Sequence, residues 1–312
     1  MTAIPDHSDD DAFIDEFLQG TSRTFALAIP LLESMRRRQV GLSYLLFRVA
    51  DSIEDAPGTD AVTKKALLQS LQSCLGKGMA GGSACEAFQD EAVLGLTQLW
   101  PVQSPTGRLL VELPRLMAIL SGFPPSVSRA IEKSLAATAE GMSAYIDASS
   151  GSPNQIQIRT LMDLKLYCYA VAGIVGELLT DIFVIHHAAG LAVHSELHAL
   201  SSGFGEFLQL INILKDSDVD AAAGRVFIPI DASREDVHDL VFQGRRVALE
   251  YVRTLEGNGF PPDVVLFCRF LFLLADRSFQ RLRDGGAGSK LTRHEVQQIL
   301  VDVRSEASAL PA

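Results

Sequence analysis

The chain has 312 residues, of which 47% are hydrophobic and 21% charged, enough to fill one large core or two modest ones. A net charge of −11 removes the basic surface that duplex nucleic acid demands, so no nucleic-acid partner is expected. The acidic N-terminus lacks the apolar centre of a secretory signal, and the apolar runs near Tyr167 to Val175 and Leu266 to Ala275 read as too short and too interrupted to span a bilayer. Cys74, Cys85, Cys168 and Cys268 show no paired spacing and read as reduced, mostly buried thiols of a cytoplasmic protein.

In chain order, residues 1–10 read as a polar, flexible tail and 11–312 as one domain. A short amphipathic segment from Asp11 to Gln19 ends at Gly20, and SRTFALAI stops at Pro30. Met35 to Ile53 has strong helical periodicity, with Val40, Ser43, Leu46, Phe47 and Ala50 on a core face, and ends at the breaker Ala56-Pro57-Gly58. Asp60 to Leu75 is the next helix, with Leu67, Leu68 and Leu71 on one face. A Gly-rich loop from Gly76 to Ser83 and a helix from Glu86 to Trp100 follow. Pro105 and Pro124-Pro125 suit first helical turns, and Ser126 to Ala148 is a long helix before the loop Ser149 to Gln155. Thr160 to Ala189 is apolar and contains glycines, which predicts two helices or one bent, buried helix.

His194 to Asp218 is a further helix, and RVFIPI from Arg225 is the one extended stretch. Ser233 with Asp236, and Thr292 with Glu295, have capping-box spacing. Gly257-Asn258-Gly259 and Pro261-Pro262 separate two helices. Asp284 to Ser289 is a loop, and the last helix runs to about Ser305. With period-2 alternation nearly absent, the pattern predicts an all-α protein of about a dozen helices.

Two helices carry matching polar stripes. Tyr44, Arg48, Asp51 and Asp55 lie at offsets of four, three and four, and Gln209, Asn212, Asp216 and Asp220 at three, four and four. At 3.6 residues per turn each set falls along one face. Asp pairs at i, i+4 on two helices suit a hard divalent cation such as Mg²⁺, which takes one or two carboxylates and completes its octahedron with substrate phosphates and waters. Arg48, Lys215 and Arg225 add cations suited to a diphosphate, and Gln209 and Asn212 add neutral polar contacts. Loss of diphosphate from such a site would leave an allylic carbocation, which needs apolar and aromatic walls of the kind Phe25, Tyr44, Leu164, Val171 and Leu208 offer. The plainer alternative is a solvated helix end with Arg48 paired to Asp51 or Asp55. However, Asp51 and Asp55 stand at a helix C-terminus, where the dipole disfavours anions, and the pattern occurs twice. His186, His187, His194 and His198 lack a third ligand for zinc and read as a solvated helix end.

SRTFALAIPLL, YLLFRVADSIED, DLKLYCYAVAGIVGELLTDIF and LQLINILKD…D…GRVFIP occur in an order and spacing that resemble the squalene/phytoene synthase family. The resemblance covers Phe13 to about Val303, and KLTRHEV is similar to bacterial squalene-synthase-like members. It implies a single-domain, all-α isoprenoid synthase fold with helices around a central apolar cavity. It also implies Mg²⁺-dependent head-to-head condensation of two farnesyl diphosphates through presqualene diphosphate. Squalene-type members finish with hydride from NADPH, whereas others lose a proton. By the same resemblance Asp51, Asp55, Asp216 and Asp220 are metal ligands. Ser22, Arg23, Tyr44 and Arg48 contact or shape the diphosphate pocket, with Phe25 beside them. Tyr167 handles protons and stabilises cations, and Val175 and Gly176 mark a helix kink that widens the prenyl channel. Gln209, Asn212, Lys215 and Arg225 are polar and basic positions around the second acidic pair.

The chain departs from that pattern at Val219, where the family carries an acid. Asp218 is an extra acid that could substitute if the helix unwound there. Two alternatives stay open: a phytoene synthase using geranylgeranyl diphosphate, and a non-catalytic prenyl-diphosphate-binding protein. A long apolar product implies peripheral contact with the inner face of a membrane, and the oligomeric state is open.

Overall fold

The computed structural model describes residues 8–56, 58–76, 100–148, 156–187, 190–286 and 288–308. The helix expected from Glu86, the Gly-rich loop before it and the loop after Ala148 lie essentially outside these residues. The chain divides into two compact units, 1–140 and 141–312, and the division falls inside a continuous helix.

In the first unit, α1 (Ser8–Thr21) opens three residues before the amphipathic pattern suggests. Asp9, Asp10 and Asp11 form its first turn, where the helix dipole favours anions. Phe13, Ile14, Phe17 and Leu18 are buried along one side. α2 (Phe25–Ala28) starts where the Ser22 hydroxyl accepts the Phe25 N–H at 2.9 Å, and it runs on through a 3₁₀ turn, Ile29–Leu31. Pro30 therefore sits inside that turn rather than stopping the chain, because proline at an early helical position loses no intrahelical bond.

The central element of this unit is α3 (Ser34–Glu54). A Cβ at Gly41 would lie 2.6 Å from the Ile14 side chain, so only glycine lets α1 lie this close. Arg38 binds Asp11 through both carboxylate oxygens, at 2.6 and 2.9 Å, tying the same two helices at their rim. α4 (Ala61–Gly76) buries Leu67, Leu68 and Leu71. α5 (Pro105–Val111) is capped by Ser104, and α6 (Leu113–Ser121) and α7 (Pro125–Ala148) follow.

In the second unit, α8 (Leu161–Cys168) passes through a π-helical segment, Tyr169–Gly173, into α9 (Ile174–Ile185). The three form one stretch, Leu161–Ile185, that is long and apolar enough by length and composition to cross a membrane, which corrects the expectation of interrupted runs; it is mostly buried within the fold. A Thr160–Asp163 capping box starts it. It packs on α10 (Gly190–Ala222), the longest helix described. A Cβ at Gly176 would overlap the Ser201 carbonyl oxygen, and one at Gly205 the Ala172 carbonyl oxygen. The two backbones thus touch through glycine. α11 (Arg234–Gly257) and α12 (Pro262–Gly285) also pack on α10, and α13 (Arg293–Ser308) packs on α12. Both expected capping boxes form, at Ser233–Asp236 and Thr292–Glu295. The extended stretch after α10 contributes β2 (Arg225–Val226), paired in parallel with β1 (Ile156–Gln157).

The cysteine expectation needs one correction. Cys168 and Cys268 are buried free thiols, both pushed above the ordinary range by burial, but Cys74 is disulfide-bonded. Cys85 lies outside the described residues.

Candidate active site

Each acidic stripe belongs to a different unit. On α3, Val40 to Glu54 is buried at every position except three, Tyr44, Arg48 and Asp51; Asp55, the C-cap residue, extends the same line. A helix packed on all other sides normally completes its core with another apolar row. Here the one water-facing row carries a phenol, a guanidinium and two carboxylates.

The row is held from below. Tyr44 Oη donates to the Thr21 carbonyl at 3.0 Å, and its ring lies 5.1 Å from the Phe25 ring. Burial raises the Tyr44 pKa. Ser22 is half-buried beside this pair, whereas Arg23 is exposed. The Arg48 guanidinium approaches Asp51 only to 3.8 Å, beyond hydrogen-bond reach, and its Nε–H is buried without a partner. A buried cationic donor left open is costly unless something else supplies an acceptor.

Asp51 is 41% accessible, yet surrounding protein displaces enough bulk water to push its pKa up to about 7. Arg48 opposes the shift and Asp55 adds to it. Both features are those of a site short of one cation and one anion. The Asp55 N–H closes α3 by donating to the Asp51 carbonyl at 2.8 Å, which fixes the spacing of the two acids.

On α10, Gln209, Asn212, Asp216 and Asp220 are likewise accessible among buried Leu210, Ile211, Ile213 and Leu214. Their electrostatics differ from those on α3. Asp216 takes Lys290 Nζ at 2.9 Å on one oxygen and Lys215 Nζ at 3.4 Å on the other. Lys215 also donates to Asn212 Oδ1 at 2.7 Å, and Arg225 binds Asp220 at 2.7 Å. Lys290 was not singled out in the sequence. The helix continues to Ala222 with Asp218 exposed and regular, so no unwinding brings Asp218 in. Val219 is 66% exposed, pointing its side chain into water.

Tyr167 is buried between two aromatic rings. Tyr145 meets it edge-on at 5.1 Å, and Phe227 lies across it at 5.0 Å. Neither neighbour was singled out in the sequence. Val175 and Gly176, expected to mark a kink, lie in regular α9; the π segment is Tyr169–Gly173, and Gly176 serves the close approach to α10. Among the histidines, His194 bonds Asp181 at 2.8 Å and His187 lies 3.2 Å from the Asn258 carbonyl.

Among the described residues no three His, Cys, Asp or Glu side chains converge on one metal position. Two acids per helix still match a Mg²⁺ ion that takes most of its oxygens from substrate and water. The unpartnered Arg48 Nε–H and the elevated Asp51 fit a metal–diphosphate unit.

The squalene/phytoene synthase family model matches residues 18–258. The chain belongs to that family. Squalene synthase ERG9 of Saccharomyces cerevisiae is 32% identical over 216 residues, covering 69% of this chain and 44% of that protein, so the match spans under half of the relative. The structure resembles that of TcSQS in complex with the ligand BPH1237, with a TM-score of 0.75 at 20% identity, covering 95% of this chain and 86% of that one. It also resembles a dehydrosqualene synthase in complex with ligand, with a TM-score of 0.62 at 16% identity, covering 97% and 98%. The fold is thus the all-α isoprenoid synthase fold of those family structures. Both stripes and Tyr167 fall within the matched residues.

Proposed function

We propose that the protein is a squalene-synthase-type prenyltransferase that joins two farnesyl diphosphates head to head through presqualene diphosphate. The observation that carries this reading is the α3 row: from Val40 to Glu54 the helix is buried except at Tyr44, Arg48 and Asp51, with Asp55 at its end and Arg48 Nε–H left open.

In this reading Asp51 and Asp55 on α3, and Asp216 and Asp220 on α10, would hold Mg²⁺. When bound, the ion neutralises charge developing on the departing diphosphate oxygens. Arg48 donates its free Nε–H to a diphosphate oxygen, and Lys215 and Arg225 take others. Ser22 and Tyr44 shape the pocket floor. C1 of the ionised substrate forms a bond to the 2,3-double bond of the second, and loss of a proton closes the cyclopropane. Tyr167 is the proton-handling group. Its ring, with Tyr145 and Phe227, offers aromatic faces to the cation. A second diphosphate then leaves, and the rearranged cation ends as squalene if NADPH supplies hydride, or as a dehydrosqualene if a proton is lost.

The test is incubation of purified protein with farnesyl diphosphate and Mg²⁺, with and without NADPH, beside geranylgeranyl diphosphate. Presqualene diphosphate, squalene or dehydrosqualene from the C15 substrate is the expected outcome. A C40 product alone would reassign the substrate, and binding without turnover would make the protein a non-catalytic binder. Liposome flotation with product present checks the expected peripheral membrane contact.

A further inference from the structure

The cations on the second acidic pair are not equivalent. Lys215 sits on α10 itself beside Asp216, and Arg225 follows Asp220 by five residues. Lys290 comes from the segment between α12 and α13, far along the chain, yet it makes the shorter of the two contacts to Asp216, at 2.9 Å against 3.4 Å. Its side chain is 56% accessible, so the pair is a solvent-screened one that opens readily.

A divalent cation on Asp216 meets a lysine ammonium at either oxygen, and Lys290 holds its own the more closely, at 2.9 Å against 3.4 Å for Lys215. Two positive charges cannot share one oxygen without strong repulsion. An ammonium displaced from a carboxylate by a metal lies within a side chain's reach of whatever anion the metal brings, and a lysine carries three rotatable donors suited to that transfer.

We infer that Lys290 is an exchange cation of the diphosphate site: it holds Asp216 in the metal-free protein, yields it to the divalent ion, and then binds the diphosphate. The inference rests on the metal role of Asp216 proposed above and adds a substrate-positioning residue to it. No bond is made or broken in the exchange. It predicts effects of opposite sign for the two ligands, since Lys290 competes with the metal and assists the anion.

The experiment uses the full chain, free Mn²⁺ measured by electron paramagnetic resonance, and inorganic diphosphate titrated calorimetrically at saturating Mn²⁺. Lys290→Gln should bind Mn²⁺ about 3- to 10-fold more tightly without diphosphate, and diphosphate about 10-fold more weakly with Mn²⁺. Lys290→Arg should keep both values near wild type. Arg293→Gln, which removes an exposed charge three residues away, should change neither. Unchanged Mn²⁺ affinity in Lys290→Gln overturns the exchange, as do equal shifts in Arg293→Gln, which would reduce the effect to net charge. Mn²⁺ binding that Asp216→Asn leaves untouched would remove the underlying metal site instead, a distinguishable failure.

Discussion

Asp51→Asn should stabilise the metal-free protein while disabling it. The native carboxyl titrates at about 7 against a reference of 3.8, chiefly because surrounding protein desolvates it. About three units at ~1.4 kcal/mol each set a ceiling near ~4 kcal/mol. With 41% of the side chain accessible, solvent screening reduces this to roughly 1–2 kcal/mol. The sign follows from proton linkage. Between pH ~4 and ~7 the native state holds a proton on Asp51 that the unfolded chain has released, so this group's stabilising contribution is lost as pH rises through that window.

Asparagine never ionises and escapes the loss. In EDTA at pH 8.5 the variant should therefore melt roughly 1.5–3 °C above wild type. The gap should shrink to about half near pH 5.5. Scanning calorimetry at several pH values reads it directly. A variant less stable than wild type at pH 8.5, or a gap that ignores pH, would refute the reasoning. Mg²⁺ with inorganic diphosphate should raise the wild-type melting temperature and leave the variant's unchanged.

Other outcomes follow from the same contacts. Gly205→Ala places a methyl against the Ala172 carbonyl and should cost on the order of 1–3 kcal/mol in urea denaturation; a change under ~0.5 kcal/mol would show that the helices separate freely. Tyr251→Phe removes a fully buried hydroxyl 2.7 Å from Thr180 Oγ, which also bonds the Gly176 carbonyl at 3.0 Å, and should cost about 1 kcal/mol by the same assay. Arg48→Lys keeps the charge but loses the Nε–H, so diphosphate affinity in titration calorimetry should fall about tenfold; a wild-type value would leave the open donor without a role. Phe227→Leu keeps an apolar side chain beside Tyr167 but removes an aromatic face, so turnover should drop while diphosphate affinity holds. Equal loss of both would point to structural damage.

Much of the molecule is legible from its residues in order. Helix periods, the Pro105 and Pro125 starts and the Ser233 and Thr292 caps are settled within a few residues of each other, and the structure shows them where the pattern places them. The spacing of Asp51 with Asp55, and of Asp216 with Asp220, is local in the same sense, because 3.6 residues per turn is a property of the backbone alone. The departures are equally instructive. Pro30 predicts a stop because a proline breaks helix interiors, but its place at the start of a 3₁₀ turn removes the conflict. The glycines between Thr160 and Ala189 predict two helices or one bent, buried helix, and the structure has a buried one distorted by a π segment; the apolar run is nevertheless longer than Tyr167–Val175, because Gly173 and Gly176 sit against α10 without ending it.

What the residues in order determined was therefore which helices form and which side chains share a face. Only tertiary packing decided that Tyr44, Arg48 and Asp51 are the accessible positions between Val40 and Glu54 and that Arg48 Nε–H goes unpartnered. It also decided that Tyr145 and Phe227 enclose Tyr167 and that Lys290 reaches Asp216. Propensity and capping act over one or two turns, whereas desolvation and ion pairing depend on groups brought together from distant parts of the chain.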